Sequence, residues 1–257
     1  MSRVFVTGSA DGLGQMAAQR LVAEGHEVVL HARSETRGRE AMAVVPGARG
    51  VLTADLSSIA EVSALAQASN AGDPFDAVIH NAGVGYREPG RVETVDGLSH
   101  VFAVNVLAPY LLTALMARPR RLVYLGSGMH RGGDPSLADL QWSSRRWNGS
   151  QAYADSKLLD IVLAVAVARR WDDVRANALE PGWVPTKMGG AGAPDDLSRG
   201  DETQAWLAVS DDPEAQVSGR YFYHRAPRPT HPAVSDPAVQ DGLLDACAEL
   251  TGVTLSR

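Results

Sequence analysis

The stretch "VFVTGSADGLGQMAAQRL", residues 4–21, decides the fold. Its opening residues are apolar and β-branched, its closing residues carry a helical pattern, and Gly8, Gly12 and Gly14 stand between them. Glycines between a strand and a helix let the chain turn sharply and let backbone N–H groups approach a phosphate at the helix N-terminus, where the helix dipole favours negative charge. The loop residues Gly8, Ser9, Asp11, Gly12, Leu13 and Gly14 are therefore candidates for holding a dinucleotide. Taken alone, the same glycines also suit an ordinary tight turn.

Outward from this loop, short apolar runs alternate with helical patterns, the order expected of βαβ units around a parallel sheet. The strand segments are "RVFVT", "EVVLH", "GVLTA", "FDAVIH", "RLVYLG", "VRANALE" and "GRYFY". They predict a single Rossmann-like, doubly wound α/β domain over residues 1–257, with a seven-stranded, mostly parallel sheet flanked by helices. Residues 12–24 read as a helix. Ser58 and Glu61 have the spacing of a capping box, and Asp236 with Pro237 opens a last helix that Gly252 stops. Residues 128–149 and 182–200 are irregular, and long loops inside a compact domain tend to be functional.

With 45% apolar and 21% charged residues, the 257-residue chain has a globular composition. Its net charge of −6 argues against a nucleic-acid binder, which needs a clustered positive field. One cysteine, Cys247, and seven scattered histidines provide neither a disulfide framework nor a metal site. The first residues lead directly into a strand without room for a signal peptide, and no apolar run is long enough for a membrane span. The cytoplasm is the expected compartment.

In nicotinamide-binding folds, the end of the second strand carries an acidic residue for the adenosine ribose. Here "EVVLH" is followed by "ARSETRGR", with Arg33 and no carboxylate until Glu35. A guanidinium suits the 2′-phosphate of NADP, so NADP(H) is favoured over NAD(H). The bland alternative is a solvated arginine like its neighbours Arg37 and Arg39.

The glycine loop "TGSADGLG", Asp55-Leu56, Asn81-Ala82-Gly83, Asn105, Ser127, the segment "YADSK" from Tyr153 to Lys157, and "PGWVPT" from Pro181 to Thr186 follow one another in one order. This ordered set resembles the classical short-chain dehydrogenase/reductase family over nearly the whole chain, and the tail is similar to retinol dehydrogenase-like and bacterial ketoreductase-like members. The resemblance implies a catalytic set of Asn105, Ser127, Tyr153 and Lys157. It also implies that Asp55 meets the adenine with Leu56 packed beside it, and that Asn81, Ala82 and Gly83 line the cofactor. Pro181, Gly182, Val184 and Thr186 would border the nicotinamide, and Tyr153 and Lys157 would touch the cofactor as well. His80 stands where many members carry a second asparagine.

Tyr153 and Lys157 are four apart, which places them on one face of a helix. A free phenol ionises only near pH ~10, and an adjacent ammonium favours the phenolate. Tyr153 is thereby suited to act as general acid/base on a carbonyl, with Ser127 holding the substrate oxygen. A buried structural tyrosine and a snorkelling lysine are the alternatives. Asn105 lies in an apolar helical pattern with Pro109 four residues on, so its carbonyl loses a helical donor and is open to a water; the resemblance implies that this water links Asn105 to Lys157 in a proton relay. A simple kink would look the same.

Met129, Trp142, Trp147, Trp183 and Met188 fall in or beside the irregular stretches and suggest a bulky, hydrophobic ketone, aldehyde or alcohol as substrate. Loop packing is the competing reading for each. Arg145 and Arg146 suit an anionic substrate or mere solvation. The helix "KLLDIVLAVAVARRW" and the one carrying Asn105 are apolar nearly all round, which predicts a homodimer or homotetramer built on these two helices, with cover from the chain's own long loops as the alternative. The leading function is an NADP-dependent reductase. A same-fold epimerase, dehydratase or lyase that recycles its cofactor, or a catalytically silent NADP(H) sensor, are the alternatives.

Overall fold

Strands β1 (Arg3–Val6), β2 (Glu27–Ala32), β3 (Gly50–Thr53), β4 (Ala77–His80), β5 (Arg121–Leu125), β6 (Arg175–Glu180) and β7 (Tyr221–Tyr223) coincide with the apolar runs in a computed structural model that describes residues 1–256. They pair in parallel in the order β3-β2-β1-β4-β5-β6-β7. The order reverses between β1 and β4, and such a reversal opens a crevice beyond the carboxyl ends of the strands.

Helices cover both faces of the sheet. On one side α1 (Gly12–Ala23), α2 (Glu35–Val44) and α7 (Glu202–Val209) pack Leu21, Ala41 and Leu207 with Val4, Val6, Leu30 and Ile79. On the other, α3 (Ile59–Asn70), α5 (Ala108–Leu115), α6 (Gly149–Arg170) and α8 (Pro237–Thr251) enclose Phe5, Val78, Leu122 and Ala176. Strands with apolar side chains on both faces must be covered on both, which is why these runs read as continuous rather than alternating.

The sheet has one more strand than the seven expected. β8 (Ala226–Pro227) folds back antiparallel on β7, pairing Tyr223 with Ala226 and Phe222 with Pro227. The two-residue turn between them puts His224 at φ 49° and Arg225 at φ 63°. Such turns normally carry Asn-Gly, because two positive φ angles are costly for residues with a Cβ. The hairpin therefore has no sequence signature.

Helix ends follow their caps. Asp236 Oδ1 accepts the N–H of Ala238 at 2.8 Å, Pro237 fills the first turn of α8, and Gly252 closes it at φ 70°. At α3, Ser58 Oγ accepts the Glu61 N–H at 3.4 Å, but the Glu61 carboxylate turns away from the cap to accept the Asp55 N–H at 2.6 Å. Half of the capping box is thus redirected to the loop that carries Asp55.

Helix α6 is buried almost throughout, from Ala152 to Ala164. Its second apolar face is covered by α8 and by the 3₁₀ turns Gly128–Gly132 and Pro232–Ser235, while α5 packs on α3 and Tyr110 bonds the Val253 carbonyl at 2.6 Å. The surplus apolar surface of α6 thus has much of its cover within the chain. No helix among the described residues is long and apolar enough to cross a membrane.

Candidate active site

A cavity of about 730 Å³ opens at the crevice between the two halves of the sheet. At one end stand Arg33, Arg37, Asp55, Leu56, His100 and Val104; at the other stand Ser127, Met129, Tyr153, Glu180, Trp183 and Met188. The glycine turn lies along its wall between them, with Gly8, Asp11, Gly12 and Leu13 exposed to the cavity.

Two glycines are required by the geometry. Gly8 has φ 62°, and a Cβ there would come within 2.9 Å of the Ala82 backbone; a Cβ on Gly14 would collide with the Asn81 amide. That amide donates to the carbonyls of Thr7 and Gly8 at 2.9 and 3.2 Å, while Thr7 Oγ1 accepts the Ala82 N–H at 3.1 Å. The segment Asn81-Ala82-Gly83 thus braces the turn, and all three residues also reach the cavity wall. Ser9 and Gly14 lie behind the turn rather than on the wall, and Ser9 Oγ accepts the His31 N–H at 2.8 Å.

His31 is the main support that sequence reasoning missed. Its Nδ1 accepts the Gly8 N–H at 3.0 Å, and its Nε2 pairs with the Ala54 carbonyl at 3.1 Å. These partners fix the neutral tautomer with the proton on Nε2. Burial lowers its pKa to about 4 against the opposing bond to Ala54, so the ring stays an acceptor at neutral pH.

Arg33 stands exposed at the rim of the cavity. Glu35, the first carboxylate after β2, accepts a hydrogen bond from Thr53 Oγ1 at 2.6 Å and is absent from the wall. Asp55 accepts Ser57 N–H and Oγ at 2.9 and 2.8 Å; partial burial opposes its ionisation, but these bonds keep the carboxyl below its ordinary pKa. Lys187, from the loop after β6, forms an ion pair with Asp11 across the cleft.

Tyr153 and Lys157 share one face of α6, with Lys157 Nζ 5.9 Å from the centre of the Tyr153 ring. The Tyr153 ring packs edge-on against Tyr86 at 5.7 Å, and Lys157 donates to the Leu125 carbonyl at the end of β5. Ser127 follows two residues later and caps the turn Gly128–Gly132, accepting the Met129 N–H on Oγ at 3.2 Å. Buried His130 holds the Ser127 carbonyl through its N–H and Nδ1 at 3.0 and 2.7 Å.

Asn105 lies deeper than expected. It sits in a π-helical turn, Ala103–Leu107, between α4 (His100–Phe102) and α5. Such turns interrupt the regular ladder and recur at functional sites. Its amide accepts the Val84 N–H at 2.8 Å and donates to the Val84 carbonyl and Ser156 Oγ at 3.0 and 2.9 Å. Only Gly83 separates it from Lys157: a Cβ there would lie 3.5 Å from Lys157 Nζ and 3.6 Å from Asn105 Oδ1.

The five predicted substrate residues divide. Met129, Trp183 and Met188 line the cavity, as do Pro181, Gly182, Val184 and Thr186. Trp142 and Trp147 do not. Trp147 donates to the Glu88 carbonyl at 2.9 Å and packs edge-on against Trp142 at 5.5 Å, while Arg145 stacks 3.7 Å over Trp142 and bonds Asp155 at 2.8 Å. Arg145, stacked on Trp142, thus pins the loop to α6, and Trp147 pins it to the segment at Glu88. Val84, Tyr86, His100 and Glu180 are wall residues with no motif to announce them.

The family model described as enoyl-(acyl carrier protein) reductase matches residues 8–216. An uncharacterized oxidoreductase of Emericella nidulans is 46% identical over 98% of both chains, and a short-chain dehydrogenase of Gibberella zeae is 40% identical over 99% of both. The chain belongs to the short-chain dehydrogenase/reductase family. A solved structure of an uncharacterized protein from Mycobacterium Paratuberculosis superposes with a TM-score of 0.86 at 26% identity, covering 100% of this chain and 96% of that one. As a short-chain dehydrogenase/reductase the chain is an oxidoreductase, and the family binds NAD(P)(H). Apart from Asn105, every motif of the ordered set contributes residues to the wall of this one cavity.

Proposed function

We propose that this short-chain dehydrogenase/reductase is an NADP(H)-dependent carbonyl reductase that interconverts a hydrophobic ketone or aldehyde and its alcohol. The observation that carries this reading is the convergence of Ser127, Tyr153 and Lys157 on the same cavity as the glycine turn. The cradle fits the cofactor: side chains are excluded at Gly8 and Gly14, Gly12 is open, and Arg33 stands at the adenosine end, where Glu35, the first carboxylate after β2, is off the wall.

Bound NADPH supplies the hydride. As the substrate carbon accepts it, the carbonyl π pair moves to oxygen, where developing charge needs donors. Ser127 Oγ, already accepting from Met129, has its own proton free to donate there. Tyr153 delivers its phenolic proton to the same oxygen, completing the alcohol, and the Lys157 ammonium stabilises the phenolate left behind. Asn105 holds both backbone polar groups of Val84 and so fixes the wall beside Lys157. A proton relay from Asn105 to Lys157 through water and a cytoplasmic setting belong to this reading.

The test is NADPH consumption by wild type and Tyr153→Phe on a panel of lipophilic ketones, quinones and aldehydes. Turnover that disappears with the hydroxyl supports the reductase. NADPH binding to both proteins with no turnover by either across the panel would favour the silent sensor.

A further inference from the structure

The substrate end of the cavity is mostly apolar, walled by Val84, Tyr86, Met129, Trp183 and Met188, but one carboxylate interrupts it. Glu180 is the last residue of β6, immediately before Pro181, and only 16% of its side chain is exposed. Asp11 and Asp55, the other carboxylates on the wall, belong to the glycine turn and the opposite end.

Glu180 is held close to the reacting centre. Its Oε2 fills the space where a Cβ on Gly128 would lie, and Gly128 directly follows Ser127. Among the described residues its ion-pair partner is Arg131, whose Nη2 stands 3.5 Å from Oε1. Arg131 is itself nearly half exposed and also reaches the carbonyls of Gly128 and Pro229 at 3.4 Å. A carboxylate has about four acceptor directions, so the loose pair with Arg131 and the Tyr221 phenol beside it leave acceptor capacity on a carboxylate that lines the cavity. The neighbouring Tyr221 is buried, and burial first and the Glu180 charge second hold its phenol un-ionised.

A buried carboxylate against an apolar pocket is costly unless it is used, and it repels anions. A site built to bond a substrate O–H or N–H rejects analogues that lack the group, because the protein's own polar atom is then left unpaired. We propose that Glu180 is the polar anchor for the substrate: an uncharged or cationic carbonyl compound with a hydroxyl or N–H donor close to its carbonyl and an apolar remainder. This rests on the carbonyl-reductase reading of the same cavity.

The experiment compares kcat/KM for 2-hydroxyacetophenone, 2-methoxyacetophenone and phenylglyoxylate with NADPH, in wild type and Glu180→Gln. The three share an aryl ketone and differ in donor and charge; 2-aminoacetophenone serves as the N–H arm. Wild type is expected to prefer the hydroxy ketone over its methyl ether by at least tenfold and to turn over the anion least. Glu180→Gln is expected to shrink the hydroxy-to-methoxy ratio at least fivefold and to raise the relative turnover of phenylglyoxylate. Equal ratios in the two proteins would overturn the anchor while leaving the reductase intact. If no ketone is reduced, the reductase reading fails; calorimetric titration of the same compounds into NADP⁺-loaded protein then reads the anchor, and lack of a donor preference there overturns it as well.

Discussion

The carboxylate of Asp160 stands 3.5 Å from the ammonium of Lys157, and both side chains are almost sealed from solvent. Tyr153, Lys157 and Asp160 follow one another at helical spacings of four and three, so the proposed proton donor, its cation and a counter-charge form one stripe on α6. Asp160 Oδ1 has no hydrogen-bond partner. Burial raises the Asp160 pKa to about 7, and Lys157 offsets this only in part.

A carboxyl whose folded pKa is raised favours the native state while protonated, and that contribution is lost as pH rises from about 4 through 7. Replacing it with an amide of the same shape removes the titration. Between pH 4.5 and pH 8, Asp160→Asn is expected to lose less stability than wild type does. Urea unfolding at both pH values checks this, and stability curves that stay parallel would refute it.

His31 titrates in the opposite sense. Its folded pKa of about 4 lies below the ordinary 6.5, so the stability it contributes is present above pH 6.5 and is lost as pH falls through 4. Wild type should lose up to about 3 kcal/mol more than His31→Gln on that descent. The same protonation removes the acceptor for the Gly8 N–H, so NADPH affinity should weaken as pH falls through about 4, which a fluorescence titration carried from pH 7 to below that value would show.

Arg33→Ala should weaken NADPH binding at least tenfold and leave NADH binding within a factor of two. Only the 2′-phosphate distinguishes the two ligands, and a guanidinium at the rim contributes through that phosphate. Equal losses for both would assign Arg33 to general attraction instead.

The turn at His224 and Arg225 stores backbone strain. The double replacement His224→Asn with Arg225→Gly suits two positive φ angles. It gives up the 2.9 Å pair of Arg225 with Glu202, an exposed contact worth little. The net expectation is a gain of about 1 kcal/mol, or ~2–4 °C in Tm for a chain of this length, with an unchanged or lower Tm as the contrary result.

Because α6 is wrapped by α8 and neighbouring turns of its own chain, light scattering at micromolar concentration is expected to give the single-chain mass of 27.3 kDa. A mass of twice or four times that value would require an interface elsewhere on the surface.

Legibility in the sequence followed periodicity. Buried parallel strands are continuous apolar runs, and Tyr153 and Lys157 sit in a regular helix, so spacing alone gave their relation. The 133–148 loop has no period, and Trp142 and Trp147 point by its trajectory rather than by their place in the chain. His31 and Glu180 are single polar residues in strands; only assembly of the sheet brings one to Gly8 and the other to the wall beside Ser127. The cover for α6 comes largely from α8, far along the chain, and apolarity could not say which molecule would supply it.

Pro227 has no N–H to offer, and it lies in a two-residue strand at the margin of the sheet. A blunt margin of this kind gives an incoming strand almost nothing to copy. Crowded or partly warmed solutions of the protein should therefore not seed fibrillar growth from this side, whatever else becomes exposed.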